Sequence, residues 1–290
     1  MADADHIRQL MIDALRAYGI DAVPDGPDDL VADGSRFAVD NVVAKCRNAA
    51  PEEVPRIVFE HVATLATAQT GPGAADLDDA QFLQAVRARV FPRDFAPWDD
   101  AEGFDYVRPV TTFGSSDVIA ALCLDFPDHV ATLNDEHLRG RDVDRVWAAA
   151  LAATAAEPFE FHQEVDTEHG RFAVVEGESL FIASKILGRP PLLSQLIVPS
   201  PHGVLFAIPN RHLIAYHNVV DAGVLKMVEA LLGFARNYFE QGPGSVSPDL
   251  FFWHGEHLQQ ITRTEPESHS IRVEVDGPFA DALGELTPDD

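Results

Sequence analysis

Pairs of short, alternating apolar runs joined by turn residues recur along this chain, and between them lie segments whose apolar residues repeat every three or four positions. That alternation constrains the fold most, because short connections join antiparallel neighbours whereas parallel strands need a long crossover. Phe159 to Asp166 and Arg171 to Glu176 flank Thr167-Glu-His-Gly170. Val204 to Ile208 and Arg211 to His217 flank Pro209-Asn210, and Leu250 to Trp253 and Glu256 to Ile261 flank His254-Gly255. Upstream, Leu30 to Ala32 and Arg36 to Asp40 meet at Asp33-Gly34, and Phe104 to Phe113 faces Val118 to Asp125 across Gly114-Ser-Ser-Asp117. The predicted class is α+β, with antiparallel β-hairpins alternating with helices that pack on the sheet. Ile119, Leu122 and Leu124 leave few polar positions, so their strand is expected at the centre of a sheet.

The helical segments carry their own signals. Ile7, Leu10, Met11, Ala14, Leu15 and Tyr18 define a first helix that Gly19 ends. Pro51 opens a second, whose stripe of Val54, Ile57, Val58, Val62 and Leu65 includes His61, best read as a hydrogen-bonded core histidine. A third is predicted through Phe82, Leu83, Val86 and Val90. Asn134 and Asp142 suit N-caps, and Pro158 stops the helix that Asp142 begins. Two short helical segments are expected from Ser179 to Val198, broken at Gly188-Arg-Pro-Pro191, and Asp221 caps a long helix to about Phe239. Ile271 to Val275 is expected as an edge strand, with a short helix after Pro278. The irregular stretch from Phe91 to Gly103 predicts a boundary between a helical region with a small hairpin (1–95) and an α+β domain (104–290), with packing as one unit the alternative.

Charge enters when partners are considered, since 47 Asp and Glu against 21 Lys and Arg leave a formal charge of −26. Such a field repels phosphate backbones and anionic headgroups, so neither nucleic acid nor a membrane is an expected partner; the excess reads as a solvated surface or, where it serves binding, as a face for a basic protein. With 46% apolar residues the chain can bury a sizeable core. Cys46 and Cys123 stand far apart in apolar stretches, the N-terminus lacks a secretory leader pattern, and a cytoplasmic location is expected.

No phosphate-cradling glycine loop, zinc-protease helix, EF-hand loop or nucleophile elbow is present in the sequence, and no cofactor is predicted. Period-two alternation places Glu160, His162, Glu164 and Asp166 on one face of a strand. A solvent-facing surface explains that row better than a cation site, and the same holds for His254-Gly-Glu-His257, so no metal is predicted. Arg108 and Arg211 lie within strand-like segments where a guanidinium needs an acceptor. A carboxylate partner is the default for each, and a shared anion site is the alternative. His212 and His217 are the candidates for proton transfer beside it.

Several short segments resemble a known family. Phe37-Ala-Val-Asp-Asn41, Val107-Arg-Pro109, Val204 to Ile208 with Pro209-Asn-Arg211, and Phe251-Phe-Trp253 are similar to segments of the YtpQ-like bacterial proteins, domain of unknown function 1444. The resemblance extends over most of Ile7 to Ile261 and implies a bacterial cytoplasmic α+β protein, with no catalytic residue to carry over. The leading expectation is a non-enzymatic protein-interaction or regulatory module with an acidic surface. An enzyme acting on a small anionic substrate, for instance a hydrolase, and a toxin-neutralising or adaptor protein are the alternatives.

Overall fold

The computed structural model describes residues 3–26, 29–32, 35–47, 49–70, 73–95, 103–127, 129–188, 200–264 and 270–286. The chain divides into two compact units, Met1–Asp78 with Asp125–Ala131, and Asp79–Leu124 with Thr132–Asp290. The break thus falls before Asp79, ahead of the 91–103 stretch where composition placed it.

The first unit starts with α1 (Ala4–Ala17), whose Asp3 cap accepts the Asp5 N–H at 3.3 Å. Ile7, Met11 and Leu15, four residues apart, form its buried stripe. Strands β1 (Val23–Asp25), β2 (Asp29–Ala32) and β3 (Ser35–Ala38) make a three-stranded antiparallel sheet, followed by α2 (Asp40–Cys46) and α3 (Val54–Thr70). Val54, Val58 and Val62 join the α1 stripe, Leu30 and Phe37 in one core. The expected Asp33-Gly34 turn lies outside the described residues. β1 carried no alternation to find, since all three of its residues are exposed.

In the second unit, α4 (Asp79–Ala85) is only two turns long and gives way to β4 (Val86–Pro92). The predicted helix through Val86 and Val90 is therefore corrected. Phe82, Leu83, Val86 and Val90 fit helical spacing, but from Val86 onward the buried residues are Val86, Ala88 and Val90, a period of two. Branched Val86 and Val90 suit the strand that tertiary pairing offers. β5 (Val107–Pro109) and β4 both pair antiparallel with β6 (Val118–Asp125), which is central and buried at every position but its last. After the short strand β7 (Val130–Thr132), which spans the boundary at Ala131, helix α5 (Asp135–Leu138) precedes α6 (Val143–Ala156), where Asp142 accepts the Arg145 N–H at 3.1 Å as its cap.

The larger sheet has six antiparallel strands in the order β13-β12-β10-β11-β9-β8. They are β8 (Phe161–Thr167), β9 (Gly170–Glu176), β10 (Val204–Ala207), β11 (Leu213–Asn218), β12 (Leu250–His254) and β13 (His257–Gln260). The 3₁₀ segment Ala183–Gly188 follows β9, and the rest of the predicted helical stretch, 189–198, lies outside the described residues. On one face, α7 (Val224–Gln241) and α8 (Gly277–Leu286) contribute Leu231 and Phe279 to a core with Phe172, Leu205, Leu213 and Phe252. Phe206 and Phe251 stack on the opposite face, ring centres 5.5 Å apart. A small pair, β14 (Thr262–Thr264) and β15 (Ile271–Val273), completes the α+β architecture. No helix among the described residues is long and apolar enough to cross a membrane.

Candidate functional site

An antiparallel edge strand points the N–H and C=O of every second residue away from its sheet, where they need water or a partner. The second unit covers most of these edges. On β4, the Thr154 hydroxyl of α6 receives the Ala88 N–H and donates to the Ala88 carbonyl, both at 3.0 Å, and Ser184 Oγ accepts the Val90 N–H at 2.9 Å. At β13, the Thr112 and Phe113 N–H groups donate to the Leu258 carbonyl at 2.9 and 3.2 Å, while Thr112 Oγ1 accepts the Leu258 N–H at 2.8 Å. Gln260, 1% exposed, fastens the same edge: its Oε1 accepts from Ser116 Oγ and the Asp117 N–H, and its Nε2 donates to Asp117 Oδ2 and the Thr262 carbonyl. β5 is short and ends in Pro109.

β8 is different. The Gly177 N–H donates to the His212 carbonyl at 3.1 Å, which sets the phase of the β9 ladder. Gly177, Val175 and Ala173 turn toward β11, so Glu176, Val174 and Phe172 turn toward β8, where Phe161, Gln163 and Val165 face them. The backbone groups of His162, Glu164 and Asp166 are left on the outer edge. Among the described residues no hydrogen bond reaches them.

The two faces of β8 are chemically distinct. His162, Glu164 and Asp166 lie on one, with His162 Nε2 2.8 Å from the Tyr216 hydroxyl and Arg171 reaching Glu164 at 2.7 Å and Asp166 at 2.6 Å. Burial, then the Glu164 charge, push the Tyr216 phenol up. Phe161 and Val165 lie on the other face, Phe161 being 62% exposed. Residues 157–178 carry seven carboxylates against the single Arg171, so the hairpin is acidic even with that arginine in place.

The row of acids and histidine does not converge. Glu160 turns back to accept the Glu178 N–H at 2.8 Å, and Arg171 takes up the other two carboxylates. His254 and His257 face each other across the Gly255 turn. No group of three or more His, Cys, Asp or Glu among the described residues is placed to hold a metal ion.

Nor does the structure gather Arg108 and Arg211. Arg108 pairs in register with Ala120 of β6, and its guanidinium stacks 4.7 Å over Trp147 and donates to Asp144 at 2.8 Å. It is the carboxylate-paired cation that its strand position called for. Arg211 Nε instead meets His212 Nε2 at 3.0 Å, and the His212 Nδ1 bonds the Gly177 carbonyl at 3.1 Å. A carbonyl only accepts, so Nδ1 carries the proton and Nε2 presents its lone pair to Arg211. Burial, then the Arg211 charge, push His212 down to about 4, so it stays neutral at pH 7. His217 belongs to the opposite face, with Leu213 and Ala215, and its Nδ1 bonds the Arg171 carbonyl at 2.8 Å. The two histidines therefore form no proton-transfer pair.

Lys185 is buried as well, donating to the Ala155 and Glu157 carbonyls at 2.7 and 2.5 Å where α6 ends, and burial pushes its amine down. Sequence reasoning missed Arg89, on β4, whose signal was the Val86-Arg-Ala-Arg-Val90 alternation itself. Comparison with protein-family models, with curated proteins and with solved structures finds no match.

Proposed function

We propose that this protein is a cytoplasmic, non-enzymatic interaction module that binds an extended basic segment of a partner protein along the outer edge of β8. The single observation that carries the proposal is the contrast among edges: β4 and β13 are bonded to other parts of the unit, and the outward groups of His162, Glu164 and Asp166 are not. An added strand would take those groups as main-chain hydrogen bonds. Side chains set its pattern, basic residues over Glu164 and Asp166 alternating with apolar ones over Phe161 and Val165. Cys46 and Cys123, both buried thiols outside any disulfide, suit a reducing compartment. The YtpQ-like resemblance adds no residue to this proposal.

A photo-crosslinking amino acid at Phe161 tests it in cells, with the exposed Leu225 of α7 as the control position. The expected adduct is an alternating basic and apolar segment, captured from position 161 alone and lost at high salt or in Glu164→Pro. Equal capture from both positions, or a captured segment that is helical or acidic, would overturn it.

A further inference from the structure

Two arginines of β4 lie on the same face and are treated differently. Arg87 donates to Glu157 Oε1 at 2.8 Å, and Ser179 Oγ holds the other oxygen of that carboxylate at 2.9 Å. Arg89, two residues on, has no carboxylate among the described residues, and its buried Nε has no hydrogen-bond partner. Part of its side chain remains accessible, and its guanidinium rests 4.7 Å from the centre of the Phe91 ring. In a chain of net charge −26, a desolvated guanidinium without an anion is the exception that needs a cause.

The surroundings of Arg89 point the same way. Its neighbour Val90 is bonded to Ser184, and the preceding residue Ala183 donates to the Arg211 carbonyl at 3.1 Å, so β4, the 3₁₀ segment and the start of β11 meet here. Arg211 presents its Nε to His212, and the charges of both Arg211 and Arg89 disfavour the charged form of that imidazole. Two guanidinium charges therefore act on one neutral ring. Register separates Arg108 from this cluster, because Arg89 pairs with Ala121 and Arg108 with Ala120, adjacent residues of β6 that point to opposite faces.

We infer that Arg89 and Arg211 form a binding site, beside His212, for the oxyanion group of a small molecule. A guanidinium fork matches phosphate and carboxylate oxygens alike, and the neutral imidazole tolerates two cations where an imidazolium would repel them. A bound anion would supply the charge that the protein withholds from Arg89. This inference is independent of the β8 edge.

Nuclear magnetic resonance of the His212 ring in the full-length protein tests it, with inorganic phosphate and acetate titrated at constant ionic strength set by chloride. Saturable shifts of the His212 signals with a rise in its pKa are expected, and the tighter of the two anions tells a phosphate from a carboxylate site. Arg89→Met should weaken that binding by about tenfold or more, while Arg108→Gln leaves it unchanged. Linear, non-saturating responses of the unaltered protein to both anions would overturn the inference, whether or not Arg89→Met folds. So would an Arg89→Met protein that binds as tightly as the original, since Arg89 would then serve only to stack on Phe91.

Discussion

The two edges of the six-stranded sheet are built from equally ordinary strands, yet one is fastened and the other is bare. At β13, Thr112 supplies both a backbone donor and a hydroxyl acceptor to Leu258, and Gln260 anchors Ser116 and Asp117 with three hydrogen bonds and adds a fourth to the Thr262 carbonyl. At β8, the outward groups of three residues meet nothing among the described residues, and acidic side chains stand over them. Charged edges resist pairing with copies of themselves, because like charges would lie opposite each other. The lesson is that acidity here does not close the edge. On the proposed reading, it selects which strand can be added.

The strongest way to break the comparison is at the fastened edge. Gln260→Ala leaves buried Ser116 and Thr262 and the Asp117 N–H short of partners, while the exposed Asp117 carboxylate keeps Arg263. A loss of roughly 3 kcal/mol is expected in urea unfolding, and a loss below roughly 0.5 kcal/mol would show that the network does not hold β13 in place.

The inner ladder offers the next test, through His212. Because its folded pKa is pushed down to about 4 from the ordinary 6.5, the native state binds fewer protons than the unfolded chain between those values. Stability should therefore fall as pH drops from about 6.5 toward 4, by roughly 2 kcal/mol once solvent screening of the partly exposed ring is allowed for. His212→Gln should flatten that slope. An unchanged slope would mean that the imidazole charges without strain, and that Arg211 and the Gly177 carbonyl do not fix its proton.

Smaller effects sharpen the contrast. Thr112→Val removes the acceptor of the Leu258 N–H and should cost about 1 kcal/mol, read as a lower urea midpoint at unchanged slope. On the bare edge, Glu164→Pro deletes an N–H that no ladder uses and should change stability by less than about 1 kcal/mol, whereas Gln163→Pro deletes an inward donor and should cost more. The reverse order would put the ladder in the opposite phase and remove the proposed edge groups.

Much of this fold was legible because its signals are local. The hairpins around Gly170 and Gly255, the buried run of β6 and the Asp142 cap depend on residues within a few positions of one another. β4 was not legible in the same way, since Val86 and Val90 satisfy both periods and only pairing with β6 decides between them. The acidic alternation of β8 could be read directly, but the bareness of its edge depends on what Thr112, Thr154 and Ser184 do elsewhere, at sequence distances no pattern reveals. Arg211 and His212 could be named from their types. That Arg89 rather than Arg108 stands near them follows from one residue of register in β6.

Native-state amide exchange compares the two edges most directly, in the partner-free full-length protein. The account predicts that the Leu258 and Thr112 amides exchange slowly, with the inward amides of Phe172 and Val174, while those of His162, Glu164 and Asp166 exchange close to the rate of unstructured chain. Protection of the His162, Glu164 and Asp166 amides equal to that of Leu258 would mean that the β8 edge is already occupied, and would contradict the claim that it is kept open for a partner.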